Sequence, residues 1–290
     1  MSPARLFSRF TRDPLRLTRY YGLETLVLVV STWGLSWRYS AQLELRGFHL
    51  LALFFALPFG WWVSAVLHAA AHGSYRGRWL NRVLGELSGA YVGYGFGSFV
   101  LIHGLHHTHS DERHDPVCPR QMTFIRFLSG PMRHAIVKAR AYLDETHGAH
   151  PHYALIRLVE GLLFHVNLAL RVSLWFLLFG PELFVAFYVP SILSNVAILA
   201  HINFACHRDR EDGTVQIVNL DHNLYYRLAN AVTSGGYYHE AHHLHPGLRD
   251  PRSAARDAEV STTRPSHDHR GGLIARAKRY FDVSGIWGER

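Results

Sequence analysis

Four stretches of the chain are apolar over lengths that suit a membrane-spanning helix. They cover approximately residues 21–37, 48–71, 158–180 and 183–200. A helix needs about 20 consecutive apolar residues to cross the hydrocarbon core of a bilayer. Only Gly180-Pro181-Glu182 separates the last two stretches, which indicates a tight corner. The pattern therefore predicts an all-α integral membrane protein with four transmembrane helices arranged as two hairpins.

The positive charges orient these helices. Arginines are concentrated before the first stretch and again between residues 76 and 157, whereas the linkers at 38–47 and 180–182 carry little positive charge. Short loops rich in Lys and Arg remain in the cytoplasm. Both termini and the long middle segment are therefore expected on the cytoplasmic side. Arg171, near the middle of the third stretch, should face the helix bundle or reach toward the interface, because a charge in lipid is costly.

Shorter features complete this organisation. Residues 84–102 are apolar but rich in glycine, and we expect them to form a partly inserted or buried segment. We expect one membrane domain over residues 1–290. Within it, residues 1–20 form a basic N-terminal segment and residues 247–290 a soluble C-terminal segment.

Composition narrows the chemistry. The 290 residues are 48% hydrophobic, carry a formal net charge of +8 and include 22 histidines. Cys118 and Cys206 are the only cysteines and form no CxxC pair, which argues against a disulfide framework or a cysteine-ligated metal. The positive charges flank apolar segments and form no basic stripe. Anionic lipid head groups and acidic proteins therefore fit as partners better than nucleic acid does.

Nine histidines fall into short clusters at the predicted cytoplasmic ends of the spans. His68 and His72 have i,i+4 spacing, and two later clusters have the spacing i,i+3,i+4, so each set shares a helical face. A weaker cluster pairs Asn203 with His207, on the expectation that the last span continues as a helix; His201 is the alternative to His207. The candidate metal ligands are His68, His72, His103, His106, His107, His207, His239, His242, His243 and Asn203. Candidates for a supporting role are His109, Asp115, His201 and His245.

These imidazoles exceed what one metal can coordinate, so the sequence predicts two metals. Neutral imidazole binds iron, zinc, copper and nickel. A pair of redox-active irons can reduce O₂ and generate an oxidant that breaks an unactivated C–H bond. Zinc has no accessible second oxidation state and cannot do this.

Two other classes of function remain open. His239, Glu240 and His243 match the HExxH pattern of zinc proteases. A protease would leave the first two clusters without a role, and Gly235-Gly236 lies where the motif's helix should already be running. A membrane metal transporter would place its ligands in mid-membrane, whereas these histidines lie at the ends of the spans.

Three segments resemble the histidine boxes of the membrane fatty-acid desaturase superfamily, which includes desaturases, related hydroxylases and carotenoid ketolases. They are residues 68–72, 103–116 and 235–246. The second segment ends in His114-Asp115-Pro116, similar to the aspartate–proline ending of the desaturases. Asn203 and His207 match the NxxxH element that acyl-CoA desaturases have near the end of their fourth span.

The resemblance implies a di-iron centre under a cytoplasmic helical cap, above an apolar tunnel for a lipid chain. The nine box histidines would bind two iron ions, Asn203 would act through a water, and O₂ would be the co-substrate. Electrons would come from a separate ferredoxin or cytochrome b5-like carrier with its reductase. We expect a fatty acyl desaturase. A hydroxylase or ketolase of a fatty acyl, sphingoid or carotenoid chain is the alternative, because in this superfamily a few residues can exchange desaturation for hydroxylation. The first box is HxxxH where acyl-CoA desaturases usually have HxxxxH, which argues against that subfamily.

Overall fold

The computed structural model describes residues 2–36, 47, 49–119, 122–129, 131–210, 212, 214–255 and 280. Most of these residues are helical. The helices are α1 (Pro3–Arg12), α2 (Arg16–Ser36), α3 (His49–His72), α4 (Arg78–Tyr91), α5 (Phe96–Thr108), α6 (Phe124–Ser129), α7 (Pro131–His147), α8 (Tyr153–Leu183), α9 (Val189–Cys206), α10 (Leu224–Thr233), α11 (His239–Leu244) and α12 (Arg252–Ala255). A π-helical turn at Phe184–Tyr188 joins α8 to α9, and β1 (His207–Asp209) pairs antiparallel with β2 (Val215–Ile217).

The contacts divide the chain into two compact units. The first consists of Met1–Gly104 and Arg140–Asn195, and the second of Leu105–Ala139 and Val196–Arg290. Helices α5 and α9 each begin in the first unit and end in the second. Most of the predicted C-terminal segment, together with Trp37 and the linker at 38–46, lies outside the described residues.

Two helical runs among the described residues are long and apolar enough to cross a membrane. They are Leu51–His72 and Tyr153–Cys206. The second has 54 residues, and a straight helix of that length would measure about 80 Å, far more than the roughly 30 Å of a bilayer core. The run is broken at Gly180, whose φ of 72° and ψ of 166° suit glycine. The predicted corner lies at this break, and the four-span arrangement stays a prediction.

The glycine-rich segment predicted to be inserted or buried forms a tight turn between α4 and α5. Gly93 and Gly95 have φ values of 88° and 79°, the left-handed region that glycine enters without a steric cost. Gly89 lies so close to the backbone of Phe96 that a Cβ there would collide with it. Phe96 is itself buried. The glycines therefore let α4 and the start of α5 approach each other closely.

Arg171 faces the interior of the first unit, one of the two orientations predicted for it. It is fully buried, its Nη2 lies 2.5 Å from Glu24 Oε1, and its Nη1 donates to the carbonyl oxygen of Gly93 at 2.6 Å. Asn167 donates to Glu24 Oε2 at 3.0 Å, and Thr25 donates to Asn167 Oδ1 at 2.6 Å. These contacts join α2, α8 and the glycine turn, so the arginine's charge is neutralised inside the helix bundle.

In the second unit, the end of α9 leads directly into the β-hairpin. Phe204 of α9 packs with Phe127 of α6 and Ala200 in a small buried core, with Phe124 and Tyr280 beside it. The helix ends at Cys206, and His207 is the first residue of β1, paired with Ile217. The expectation that α9 continues through His207 as a helix is therefore wrong.

Candidate metal centre

Three box histidines meet in the first unit. His68 and His72 lie one turn apart at the end of α3, and His103 belongs to α5. The Nε2 atoms of His72 and His103 are 2.7 Å apart. The ring centroids of the three imidazoles lie 4.6–4.9 Å from one another, and Phe99 stacks on His103 at 5.1 Å. The i,i+4 spacing of the first box thus brings both of its imidazoles onto a third.

Four more imidazoles meet in the second unit. His106 comes from α5, His207 from β1, and His239 and His243 from one face of α11. One potential ligand atom from each lies within 4.8 Å of those of the other three. His239 Nε2 is 3.0 Å from His207 Nε2 and 3.2 Å from His243 Nε2. We call this set the four-histidine cluster.

His107 and His242 form a separate pair in the second unit. Their Nε2 atoms are 3.0 Å apart and their ring centroids 4.8 Å apart. His107 follows His103 by four positions on α5, so helical geometry places the two on the same side of that helix. Every histidine of the three boxes therefore faces another box histidine across a short nitrogen–nitrogen distance or in ring contact.

Two aspartates fix the outer nitrogens of the four-histidine cluster. Asp115 Oδ1 lies 2.9 Å from His106 Nδ1, and Asp111 lies 2.9 and 3.1 Å from His207 Nδ1 through its two oxygens. The backbone N–H of Asp111 donates to Asp115 Oδ2 at 2.8 Å and steadies that carboxylate. A carboxylate that accepts the Nδ1 proton leaves the Nε2 lone pair of the same ring available for a metal.

The pKa shifts of these aspartates agree with that arrangement. Burial alone would raise the pKa of Asp115, but the hydrogen bond and positive charge of His106 outweigh burial and lower it. Burial likewise opposes the lowering of the Asp111 pKa, which His207 brings about by its hydrogen bond and its charge. Both groups are therefore carboxylates at neutral pH, able to accept the imidazole protons.

Two histidines of α11, His239 and His243, are held in the neutral form. Burial, followed by the charges of His106 and His207, lowers the pKa of His243 to about 3. The pKa of His239 is lowered well below its usual value, first by burial and then by its neighbours His243 and His207. Neutral imidazole is the form that binds a metal ion, so the cluster keeps its donors ready for one.

Asn203 and His201 lie on α9, four and six residues before His207, and they have different surroundings. Asn203 Nδ2 donates to Leu199 O at 2.9 Å, and its buried Oδ1 has no hydrogen-bond partner among the described residues. His201 Nδ1 instead lies 2.5 Å from Tyr237 Oη and 3.3 Å from Tyr225 Oη. The four-histidine cluster therefore contains His207, and His201 sits in a tyrosine pocket.

The other candidates for a supporting role lie further out. His109 Nδ1 is 3.2 Å from Glu112 Oε2. His245 is exposed just after the end of α11. Of the predicted supporting residues, Asp115 contacts a histidine of the cluster directly.

Asp111 contacts the four-histidine cluster, and the sequence did not single it out. It lies within the second box segment and has a φ of 62°, a left-handed conformation uncommon for a residue other than glycine. That conformation belongs to the turn after α5 that places both Asp111 and Asp115 behind the imidazoles. Its spacing of four from Asp115 was the available signal, but a contact with His207, distant in sequence, cannot be predicted from spacing.

The donor set fits a transition-metal ion. Four imidazoles converge, two of them have their Nδ1 positions bound to carboxylates, and two have lowered pKa values. A neutral imidazole has one donor nitrogen and one acceptor nitrogen. His106 and His207 donate from Nδ1 to carboxylates, so their Nε2 atoms can only accept. Nε2 atoms that face one another therefore cannot all be hydrogen-bonded. A cation shared between the lone pairs resolves this, and imidazole suits iron, zinc and copper alike.

The protease pattern in the third box has its glutamate turned away. Glu240 is exposed, and its Oε2 accepts a hydrogen bond from Asn219 Nδ2 at 3.0 Å. In an HExxH protease this carboxylate acts as the general base beside the metal. The helix also begins only at His239, after Gly235 with a φ of 85°. The geometry therefore weighs against peptide hydrolysis.

Comparison with known families decides between the remaining classes. The family description "Fatty acid desaturase" matches residues 46–270, which is most of the chain and includes every box. The chain belongs to the fatty acid desaturase family. Comparison with curated proteins finds no match. Membership in this desaturase family confirms the resemblance seen in the boxes, and makes the protein an oxidoreductase that acts on lipid chains and associates with membranes.

Proposed function

We propose that this desaturase-family protein is an O₂-dependent di-iron enzyme that introduces a double bond into a lipid acyl chain. The observation that carries the proposal is the four-histidine cluster, in which His106 and His207 are each backed by a carboxylate. His106, His207, His239 and His243 would hold one iron. Asn203, whose Oδ1 is buried and unpaired within the described residues, would reach a metal through a water.

The remaining box imidazoles would also bind metal. They are His68, His72 and His103 in the first unit, and His107 and His242 in the second. Support comes from the short Nε2–Nε2 distances of 2.7 Å between His72 and His103 and 3.0 Å between His107 and His242.

Bound iron would supply the reduction of O₂ and the removal of hydrogen from an unactivated carbon. Desaturation takes two hydrogens from the chain and reduces O₂ to two waters, so two further electrons and two protons enter per turnover. The protein's own residues orient the metal ligands: Asp115 and Asp111 hold the Nδ1 protons of His106 and His207. Apolar surroundings such as Phe99, stacked on His103, limit the access of bulk water.

Hydroxylation or ketolation of a fatty acyl, sphingoid or carotenoid chain is the second candidate. The same ligands and the same two electrons per O₂ serve a reaction that leaves oxygen on the chain. The HxxxH spacing of His68 and His72 is one residue shorter than in acyl-CoA desaturases, so the boxes do not tie the chain to that subfamily and its reaction.

We also propose that the chain crosses the membrane four times, with both termini and the metal site in the cytoplasm. Arg5, Arg9 and Arg12 precede α2, and the break at Gly180 divides the long helical run. Reporter fusions at Met1 and Arg290 should both score cytoplasmic. Fusions that both scored outside the cytoplasm would overturn this topology.

Lipid profiling tests the reaction. A host that expresses the chain should accumulate a lipid with a new double bond, and a host that expresses His106→Ala should not. His152→Ala, an exposed histidine at the start of α8, is the matched control and should retain the product. Purified protein should hold about two irons per chain, as two imidazole sites predict. A hydroxyl or keto product would move the assignment to the second candidate, and one tightly bound zinc with no lipid product would overturn the proposal.

A further inference from the structure

The N-terminal helix α1 has two distinct faces. Pro3, Leu6 and Phe10 are buried within the first unit, and the ring of Phe10 packs edge-on against Tyr20 at 5.7 Å. Arg5, Arg9 and Arg12 are exposed, and their spacing of four and three places them together on the opposite face. The apolar face therefore fixes the helix, while the arginines point into solvent.

The buried face of α1 lies on residues next to the proposed iron ligands. Phe7 packs against Gly104, the neighbour of His103, so closely that a Cβ on Gly104 would collide with the ring. A Cβ on Gly73, the neighbour of His72, would lie 3.7 Å from Pro3 Cδ. A helix with its side chains is about 10–12 Å thick. The arginine face is thus separated from the neighbours of two ligands by roughly one helix thickness.

Two more exposed arginines follow the first histidine box. Arg76 and Arg78 are exposed in the short segment that follows His72 and opens α4. Arg78 is the first residue of α4, where the positive end of the helix dipole makes a cation unfavourable. No ion pair involves Arg5, Arg9, Arg12, Arg76 or Arg78 within the part of the chain that the structure describes. Helix stability alone does not account for a cation at Arg78.

We propose that Arg5, Arg9, Arg12, Arg76 and Arg78, the arginine surface, dock an acidic one-electron carrier protein. The proposal rests on the di-iron function above. Its basis is charge complementarity combined with position. None of the five forms an ion pair among the described residues. Arg5, Arg9 and Arg12 lie about one helix thickness from the neighbours of His72 and His103, and Arg76 and Arg78 follow His72 closely in the chain. Anionic lipid head groups would also neutralise the arginines, but binding lipid does not require the arginines to lie close to the metal ligands, whereas electron transfer does.

The electron count fits repeated docking. Each reduced carrier is oxidised by one electron, so two encounters supply the two electrons that each O₂ requires beyond those taken from the lipid. Transient docking of this kind depends on steering by charge, which raises association rates about 10–10³-fold and weakens as salt screens it. An exposed and otherwise unpaired basic surface provides such steering.

The test compares two variants with the same change in charge. Arg5→Gln with Arg9→Gln alters the arginine surface, and Arg210→Gln with Arg227→Gln removes two exposed arginines of the second unit. Each protein is assayed in nanodiscs with an acidic [2Fe–2S] ferredoxin and its reductase, and separately with dithionite as a chemical reductant. Iron content is measured on the same preparations.

The first variant should raise the apparent KM for ferredoxin about tenfold and flatten its dependence on ionic strength. Iron content and dithionite-driven product should be unchanged, and the control variant should match the parent. An unchanged KM, an equal loss with dithionite, or a defect confined to nanodiscs of anionic lipid would overturn the proposal, the last because it would assign the arginines to the membrane. Failure of the parent protein to oxidise lipid with any reductant would instead overturn the proposed function.

Discussion

Two groups of buried polar side chains differ in how their polar atoms are matched. In the first unit, the guanidinium of Arg171 meets the carboxylate of Glu24 at 2.5 Å and the carbonyl of Gly93 at 2.6 Å. In the second unit, like groups face each other, as His239 Nε2 does His207 Nε2 at 3.0 Å. The first arrangement pairs opposite charges, and the second brings together four imidazoles that offer the same kind of ligand atom.

This difference separates a structural group from a binding group. Burying a charge is tolerated when an opposite charge and hydrogen bonds compensate it, as around Arg171. Gathering four imidazoles, of which His239 and His243 have lowered pKa values, gives little cohesion of its own. It becomes favourable when a cation is shared among their lone pairs. Removing a member of the first group should therefore cost stability, and removing a member of the second should cost metal.

The largest effect is expected from His207→Ala. Loss of a direct ligand should reduce product formation about 100-fold or more and remove roughly one iron per chain. Thermal stability of the metal-free protein should fall less than in Arg171→Met, by about 1–3 kcal/mol, because Asp111 loses its hydrogen-bond partner. Metal analysis and lipid profiling measure the first two, with His152→Ala as the control. Full iron content with normal turnover would remove His207 from the site and move the assignment to His201.

Arg171→Met should reduce the stability of the protein and leave its iron content unchanged. It leaves Glu24 as an uncompensated buried charge, which costs about 3–5 kcal/mol of unfolding free energy. Protein that remains folded in detergent should still bind iron. The double variant Arg171→Met with Glu24→Gln should recover part of the loss, because no lone charge remains. Thermal unfolding in detergent measures both, and a double variant less stable than the single one would contradict the structural role.

Asp115→Asn tests the support behind the four-histidine cluster. The neutral amide no longer holds the Nδ1 proton of His106 as a carboxylate does, so iron affinity should fall about 10–100-fold. Competition with a chelator measures this, and the iron absorption spectrum should shift because the ligand changes its basicity. Glu112→Gln, which removes an exposed carboxylate from His109, is the matched control and should leave both unchanged. Equal chelator resistance in both variants would show that Asp115 only stabilises its turn.

The smallest effect is expected from Asn203→Ala. A contact through water constrains the metal less than a direct bond, so activity should fall less than about tenfold while iron content is retained. Product formation and metal analysis on the same preparation decide this. A loss as large as that of His207→Ala would show that Asn203 Oδ1 binds the metal directly.

The sequence predicted the members of the histidine clusters better than it predicted their surroundings. The i,i+4 and i,i+3,i+4 spacings are local, and the structure brings His239 and His243 onto one face of α11 accordingly. His207 was selected on the expectation of a continuous helix, yet it begins a strand. The hydrophobic pattern continues through Cys206 whether the next residue is helical or extended. The periodicity therefore did not show where α9 ends.

Contacts between distant segments were beyond the sequence. Because a charge in lipid is costly, the sequence predicted that Arg171 faces the helix bundle. No pattern in the neighbouring sequence indicates that its partner is Glu24 on α2. Asp111 likewise meets His207 across a long separation in the chain. Such pairs depend on which helices and strands pack together. The buried carboxylates therefore had to be found in the structure, although the imidazoles they support were found in the sequence.

The all-nitrogen composition of the four-histidine cluster has a consequence for metal supply. Imidazole sites follow the Irving–Williams series, in which Fe²⁺ binds more weakly than Zn²⁺ or Cu²⁺. His106, His207, His239 and His243 contribute no oxygen donor that would favour iron over these competitors. Selectivity then depends on the geometry of the site and on which metals are available to the protein. Overproduction in iron-poor medium should fill the site with zinc and give folded but inert protein, so the iron supplied to the culture determines the specific activity recovered.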